Sequence, residues 1–383
     1  MKIGILTLPL HINYGGILQN YALQQALKEK GLAPVTIEHS GIRNIHLNTI
    51  RWLIKEIMYH ISGCKSERPC YVPTKKEIQK FRKNTQSFID KYIIITKTFQ
   101  ASKELEEHVA SYNYSGFVVG SDQCWRPVYN RDFLGAMFLN FAEGMKNTHR
   151  VAYAASFGTD DWEFSPEMTE KYSHLIQLFD KVTVREDSGI ALCKKYFGVE
   201  ATHVLDPTML LKKENYEKLV ANEKEPKSKG DLYYYFLDSN DEKTDFIQKV
   251  AAQYGYTPFT VMPDITAKKR SFYDVKFRMG KCIYPSVTSW LRGFMDAKVV
   301  VVDSFHGMVF SIIFNKPFWA FGNHERGNAR FESLLKMFHL ENRLIVPSEF
   351  ALTDFHQPIE WDIVNMILKE KVQESKEVFD HLK

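Results

Sequence analysis

Short, continuous apolar runs alternate along the chain with longer stretches in which apolar residues recur every three or four positions. The runs read as strands buried on both faces and the stretches as helices laid over them, the pattern of parallel βαβ units. Residues 2–8 form the first run. A loop with two glycines and a helix over about 17–30 follow, Gly31 stops that helix, and residues 35–38 supply the next strand. Runs at 117–120, 151–154 and 182–185 predict further short parallel strands. A second series begins with a strand at 232–237, then a helix over 241–254, a strand at 259–262 and a helix over 286–297. The β-branched run Val299 to Val302 predicts another doubly buried strand, Met308 to Phe314 a buried helix, and Pro317 its end before a strand at 318–321. A last helix over 361–382 has an apolar stripe only in its first half.

This order predicts an α/β protein of two Rossmann-like, doubly wound, mainly parallel halves facing each other across a cleft, a GT-B-like arrangement. The expected division is an N-terminal domain over 1–210 with a helical insertion at about 42–113, a linker over 211–230, and a C-terminal domain over 231–383. The terminal helix is expected to return to the first domain.

At 383 residues the chain exceeds one ordinary core, in keeping with two domains. A net charge of +4 fits an anionic small molecule or a membrane surface and falls short of a nucleic-acid footprint. The five cysteines, Cys64, Cys70, Cys124, Cys193 and Cys282, are scattered and odd in number, which favours neither a zinc site nor a disulfide framework. The N-terminus lacks the apolar core of a signal peptide, and no run of about eighteen apolar residues occurs. A cytoplasmic protein is expected. The loop over 267–281 carries six basic residues among aromatics. It reads either as a solvated loop or as one facing an anion or the inner face of the membrane, a peripheral contact.

Candidate chemistry gathers at predicted strand exits. His306 stands where a strand ends and a helix begins, behind the capping oxygens of Asp303 and Ser304. A helix N-terminus attracts anions and disfavours imidazolium, so His306 is expected to be a neutral base beside an anionic ligand, or else only a turn filler. In the first loop, Asn13-Tyr14-Gly15-Gly16 followed by Gln19 either brings backbone close to a ligand or forms a structural turn with positive φ and a solvated Gln19. At the third exit, Ser121-Asp122-Gln123-Cys124-Trp125 offers caps, an aspartate to orient a sugar hydroxyl, and an indole to stack on a pyranose ring. Arg185, directly after a strand, pairs on the surface or clamps phosphate or carboxylate. Arg326 and Arg330 lie in a glycine-broken loop suited to enclosing an anion.

Taken together, Asn13-Tyr-Gly-Gly-x-Leu-Gln19-x-Tyr-Ala-Leu-Gln24, Gly120-Ser-Asp-Gln-x-Trp125, Val184-Arg-Glu and Asp303-Ser-Phe-His-Gly307 resemble the polysaccharide pyruvyl transferases in order and spacing. The resemblance implies a GT-B-like fold and transfer of pyruvate from phosphoenolpyruvate to a sugar diol of a cell-surface or exopolysaccharide precursor, as a cyclic ketal. It implies His306 and Arg185 as catalytic residues, and Arg185, Ser304, His306, Gly307, Arg326 and Arg330 as the donor site. Asn13, Tyr14, Gly15, Gly16, Gln19, Ser121, Asp122, Gln123 and Trp125 become an acceptor or structural loop. Phosphoenolpyruvate is then a co-substrate, with no cofactor and no metal expected, and the partner is a sugar or lipid-linked glycan acceptor. One departure stands out. Better-studied members carry an arginine two residues before the histidine, where this chain has Ser304, so Arg326 or Arg330 is expected to supply that charge. The same fold would also suit a nucleotide-sugar glycosyltransferase, with Glu325 and Glu332 as ribose ligands, or a non-catalytic member of a glycan-assembly complex.

Overall fold

A computed structural model describes residues 1–40, 54, 58, 71–130, 132–266, 270–322, 327–345 and 357–383. Among them, eleven strands form two sheets, and every neighbouring pair runs parallel. The first sheet has the order β2-β1-β3-β4-β5-β6. Its strands are β1 (Lys2–Leu6), β2 (Ala33–Thr36), β3 (Gly116–Gly120), β4 (His149–Ala155), β5 (Lys181–Val184) and β6 (Thr202–His203). The second has the order β11-β10-β9-β7-β8, from β7 (Leu232–Tyr235), β8 (Pro258–Phe259), β9 (Val299–Val302), β10 (Phe318–Phe321) and β11 (Leu344–Ile345).

Both sheets reverse their strand order once in the middle. The first reverses between β1 and β3, the second between β7 and β9. At such a point the crossovers leave for opposite faces of the sheet, and a crevice opens beyond the carboxyl ends of the two strands. The loops after β1, β3, β7 and β9 are therefore where a ligand site is expected.

The apolar runs explain the layering. All four valines of β9 are buried, as a strand covered by helices on both faces requires. Helix α1 (Tyr14–Glu29) buries thirteen of its sixteen residues and begins three residues before the expected start, because Tyr14, Gly15 and Gly16 are already helical. Gly31, at φ 79°, ends it in the left-handed conformation that glycine adopts most easily. Helix α2 (Phe305–Ile313) is wholly buried after β9, and α3 (Ala329–Met337) follows β10. One apolar core runs from α1 into the second half, where the Tyr14 ring stacks on Trp290 at 5.7 Å between centroids.

Three segments differ from expectation. Half of 211–230 is no open linker: Lys213–Asn222 is a helix whose Tyr216, Leu219 and Val220, at i, i+3 and i+4, are buried. Glu225, just beyond it, accepts hydrogen bonds from Ser286, Thr288 and Ser289 at the start of helix Val287–Asp296. The expected strand at 259–262 shrinks to the two residues of β8. In the basic loop, Phe272–Phe277 forms a short helix behind a Ser271–Asp274 capping box, while 267–269 lie outside the described residues. The described part of the insertion contributes helices Lys75–Phe81, Lys83–Tyr92 and Ser102–Ser111. The terminal helix, Trp361–Glu377, continues into a 3-10 turn, Val378–Leu382, that packs on the first sheet, with Phe379 stacked on Tyr153 at 4.8 Å. No helix among the described residues is long and apolar enough to cross a membrane.

Candidate active site

A cleft of about 230 Å³ opens at the two reversal points. The first half contributes Leu8, Asn13, Gly15, Asp122, Gln123 and Tyr129 to its walls; the second contributes Tyr235, Leu237, Asp303 to His306, Arg330 and Phe331. Every wall residue but three follows β1, β3, β7 or β9. The exceptions are Tyr235, which ends β7, and Arg330 and Phe331, which come from α3 after β10.

His306 sits in the first turn of α2. Ser304 caps that helix: its backbone is extended and its Oγ accepts from Gly307 N at 3.0 Å. Gly307 is needed because a Cβ there would lie 2.7 Å from Val302 Cγ1 and 2.8 Å from Ser304 Oγ. Thus Ser304 lines the cleft with its oxygen already engaged on the backbone.

From the other half, Gly15 meets His306 directly. A Cβ on Gly15 would overlap the imidazole at Nδ1 and Cγ, so only glycine lets the ring approach. Neither Gly15 nor Gly16 has positive φ, so of the two readings of this loop the positive-φ turn does not hold. Gly16 instead faces the Asn13 side chain.

The other imidazole nitrogen, His306 Nε2, lies 3.5 Å from Asp206 Oδ2. That is ion-pair range and the outer limit for a hydrogen bond, so Nε2 is buried without a close partner. Asp206 is fully buried. Its Oδ2 also accepts from Ser121 Oγ at 2.9 Å and from Arg185 Nη1 at 3.2 Å, and its Oδ1 accepts from Thr208 N and Oγ1. Burial alone would raise this carboxyl; His306, Arg185 and the Thr208 hydrogen bonds outweigh it and hold Asp206 well below the usual carboxylate range.

Arg185 ties the cluster together. Its Nη2 reaches Asp122 Oδ1 at 3.4 Å, and its guanidinium lies 4.4 Å from the centroid of Phe305, the residue before His306. It is 3% exposed and is not among the residues lining the cleft, so it stands behind the wall and not in the open as a clamp. Asp122, at φ 61°, faces the cleft and accepts from Asn13 Nδ2 at 3.3 Å. Arg330 lines the cleft beside this group, its guanidinium brought down to about 10 by burial and then by Arg185, against Asp122 and Glu186. Glu186, also buried, accepts from Phe157 N and Gly158 N; burial pushes its carboxyl up, and Arg185 and Arg330 oppose that.

Several expected site residues belong to the architecture. Trp125 is 0% exposed, donates from Nε1 to Met137 O and stacks on Phe138, so no sugar reaches its face. Gln19 is buried, not solvated, and donates to Thr7 Oγ1. Tyr14 is buried, donating to Pro285 O. Ser121 acts through Asp206. Gln123 lines the cleft and packs against Gly158. Arg326 and Glu325 lie outside the described residues, and Glu332 is exposed on α3 away from the cleft wall. Among the described residues no group of three or more His, Cys, Asp or Glu side chains is arranged to hold a metal.

Asp206 was missed in the sequence because Asp206-Pro207 reads as a turn. A local signal was present: Asp206 follows the apolar pair Val204-Leu205, just beyond β6 at the same sheet edge as the other motif residues.

The family model for polysaccharide pyruvyl transferase matches residues 13–325. No curated protein matches the sequence. Among solved structures, Arabidopsis thaliana UGT89C1 with UDP-L-rhamnose is similar with a TM-score of 0.52 at 8% identity, over 100% of this chain and 97% of that one. The same protein with UDP gives 0.51 at 10% identity, over 100% and 98%. The N-terminal domain of Candida albicans trehalose-6-phosphate phosphatase gives 0.48 at 12%, over 99% and 96%. The two UGT89C1 likenesses concern the fold alone: two Rossmann-like halves, arranged as in GT-B glycosyltransferases.

Proposed function

The chain belongs to the polysaccharide pyruvyl transferase family, and from that membership we propose that it moves pyruvate from phosphoenolpyruvate to two hydroxyls of one sugar as a cyclic ketal. The donor's methylene carbon takes a proton while a sugar hydroxyl oxygen bonds to the neighbouring carbon. The bond from that carbon to the phosphate oxygen then breaks, and the second hydroxyl closes the ketal. Of the two hydroxyl protons released, one is balanced by the new methyl group and the other by the departing phosphate.

The observation that carries this reading is His306 between Asp206 and Gly15, in a cleft that also holds Arg330. With Nε2–H turned to the Asp206 carboxylate, Nδ1 carries the lone pair, and Gly15 packs against the ring beside it. From the cleft wall that lone pair would take a hydroxyl proton, a role worth roughly 10²–10⁴-fold in rate. The contact of 3.5 Å is long for an orienting hydrogen bond, as such contacts often are before substrate binds. Arg330 and the amino end of α2 would face the donor's phosphate and carboxylate. Arg330 is the one arginine among the described lining residues, and it takes the part left open by Ser304. Arg185 works from behind, fixing Asp122 and Asp206.

The test is incubation of the purified chain with phosphoenolpyruvate and lipid-linked glycan precursors, read by mass spectrometry and phosphate release. A pyruvyl ketal formed with equimolar phosphate supports the reading. Glycosyl transfer from UDP- or GDP-sugars, with no ketal, would overturn it.

A further inference from the structure

The aromatic residue that could meet a sugar is not Trp125 but Tyr129, one turn further along. Trp125 is 0% exposed, whereas Tyr129 is 42% exposed and lines the same cleft as His306 and Ser304. We propose that Tyr129 is the platform on which a pyranose ring stacks to present its hydroxyls to the cleft.

The ring is built to stay in place. It stands on the short helix Pro127–Asn130, which is pinned by Asn130 Nδ2 donating to Cys124 O at 2.6 Å and by Tyr129 N donating to Arg126 O at 3.1 Å. The Arg126 guanidinium lies 5.4 Å from the ring centroid. Arg126 is itself fixed by Glu163, with Nε to Oε2 at 3.0 Å and Nη2 to Oε1 at 2.8 Å, and by Nη1 donating to Gln123 Oε1 at 3.2 Å. An aromatic ring backed by a cation and left open toward a cleft offers a fixed π-face at little ordering cost. The matching ligand is a neutral pyranose with an apolar C–H face, since C–H groups favour the negative face of the ring. Polar groups for its hydroxyls stand alongside: Gln123, Asn13 and Asp122 line the same wall.

That this sugar is the acceptor rests on the pyruvyl-transfer reading; that Tyr129 binds a pyranose does not. Saturation-transfer NMR on the full chain, with methyl β-D-galactopyranoside, methyl β-D-glucopyranoside and methyl α-D-mannopyranoside as probes and glycerol as control, separates the two. Saturation of the C–H protons on one face of at least one pyranoside is expected, and none for glycerol. Tyr129→Phe should preserve it, and Tyr129→Ala should weaken binding about tenfold. The shift in melting temperature caused by phosphoenolpyruvate should be the same in all three proteins. Equal pyranoside binding by Tyr129→Ala and the parent chain, or no binding of any pyranoside, would overturn the proposal. Tyr129-dependent pyranoside binding without any response to phosphoenolpyruvate would leave this site standing and remove the donor reading instead.

Discussion

Asp206 and Asp303 each follow a strand at a carboxyl edge, each is buried, and each holds a cation, yet they do different things. Asp303 belongs to one half. It accepts from Lys243 Nζ at 2.6 Å and from the backbone of Leu237 and Asp238, which splices the exit of β7 to the exit of β9. Its hydrogen-bonding capacity is taken up by its own sheet. Asp206 is held by Ser121, Thr208 and Arg185 in the first half, and its remaining approach is filled by His306 from the second. The aspartate inside the Asp-Ser-Phe-His-Gly segment is therefore architectural, and the carboxylate that faces the histidine comes from outside the segment. A charge confined to one half fixes a loop; a charge shared between halves can orient a catalytic group.

The largest expected effect falls on the bridging side. His306→Ala should lower ketal formation by about two to four orders of magnitude while the thermal shift with phosphoenolpyruvate persists. Loss of donor binding in that variant would make His306 a donor ligand instead. On the confined side, Lys243→Met leaves the Asp303 carboxylate buried without its cation and should cost about 3–5 kcal/mol in denaturant unfolding. Turnover per folded molecule should stay within about threefold. A fall matching that of His306→Ala would erase the distinction between the two aspartates.

The contact between the halves can be probed at Gly15. Gly15→Ala places a methyl group against the imidazole, and overpacking of this kind costs roughly 1–3 kcal/mol. It should reduce turnover about tenfold or more, since the ring must move from its place beside Asp206. Wild-type turnover in Gly15→Ala would show that the close approach is not needed.

A third buried carboxyl near the same edge sharpens the contrast. Glu38, beyond β2, accepts from Leu10 N at 3.2 Å, and burial raises it to about 8 against the weaker pull of Leu10 and Arg82. Here the folded state holds a proton that the unfolded chain has released between about pH 4.5 and 8, so this residue makes stability fall as pH rises through that window. The slope is at most about 1.4 kcal/mol for each pH unit. Glu38→Gln should therefore gain in melting temperature relative to wild type between pH 5 and pH 8. Asp206, held low, contributes the opposite sign: stability present at neutral pH and lost only as the pH falls below the ordinary carboxylate range. A flat difference between Glu38→Gln and wild type would mean that Glu38 is ionised in the folded protein.

Much of the fold was legible because it is written in local periodicity. Val299 to Val302 could be little else than a doubly buried strand, and the recurrence of such runs with helical stretches between them gives two parallel sheets. The start of α1 was misplaced because Gly15 and Gly16 read as a loop; they are helical, and Gly15 answers to a ring nearly three hundred positions away. The helix within 211–230 was masked by its charged residues, although Tyr216, Leu219 and Val220 keep the spacing of a buried face. At the site, His306, Asp122 and Arg330 were marked by their places at predicted strand exits or in the anion loop. Asp206 was not, since Asp206-Pro207 reads as a turn and no strand was predicted before it. Which of Trp125 and Tyr129 turns inward depends on packing against Phe138 and Met137, which no local pattern specifies.

The central claim is that Asp206 sets the proton on His306, and the tautomer of that ring reports it directly. Long-range ¹H–¹⁵N correlation spectra of ¹⁵N-histidine-labelled protein, with His306 assigned through His306→Gln, should show the Nε2–H form in wild type and its loss in Asp206→Asn. An Nδ1–H ring in wild type, or the same tautomer in both proteins, would contradict the account.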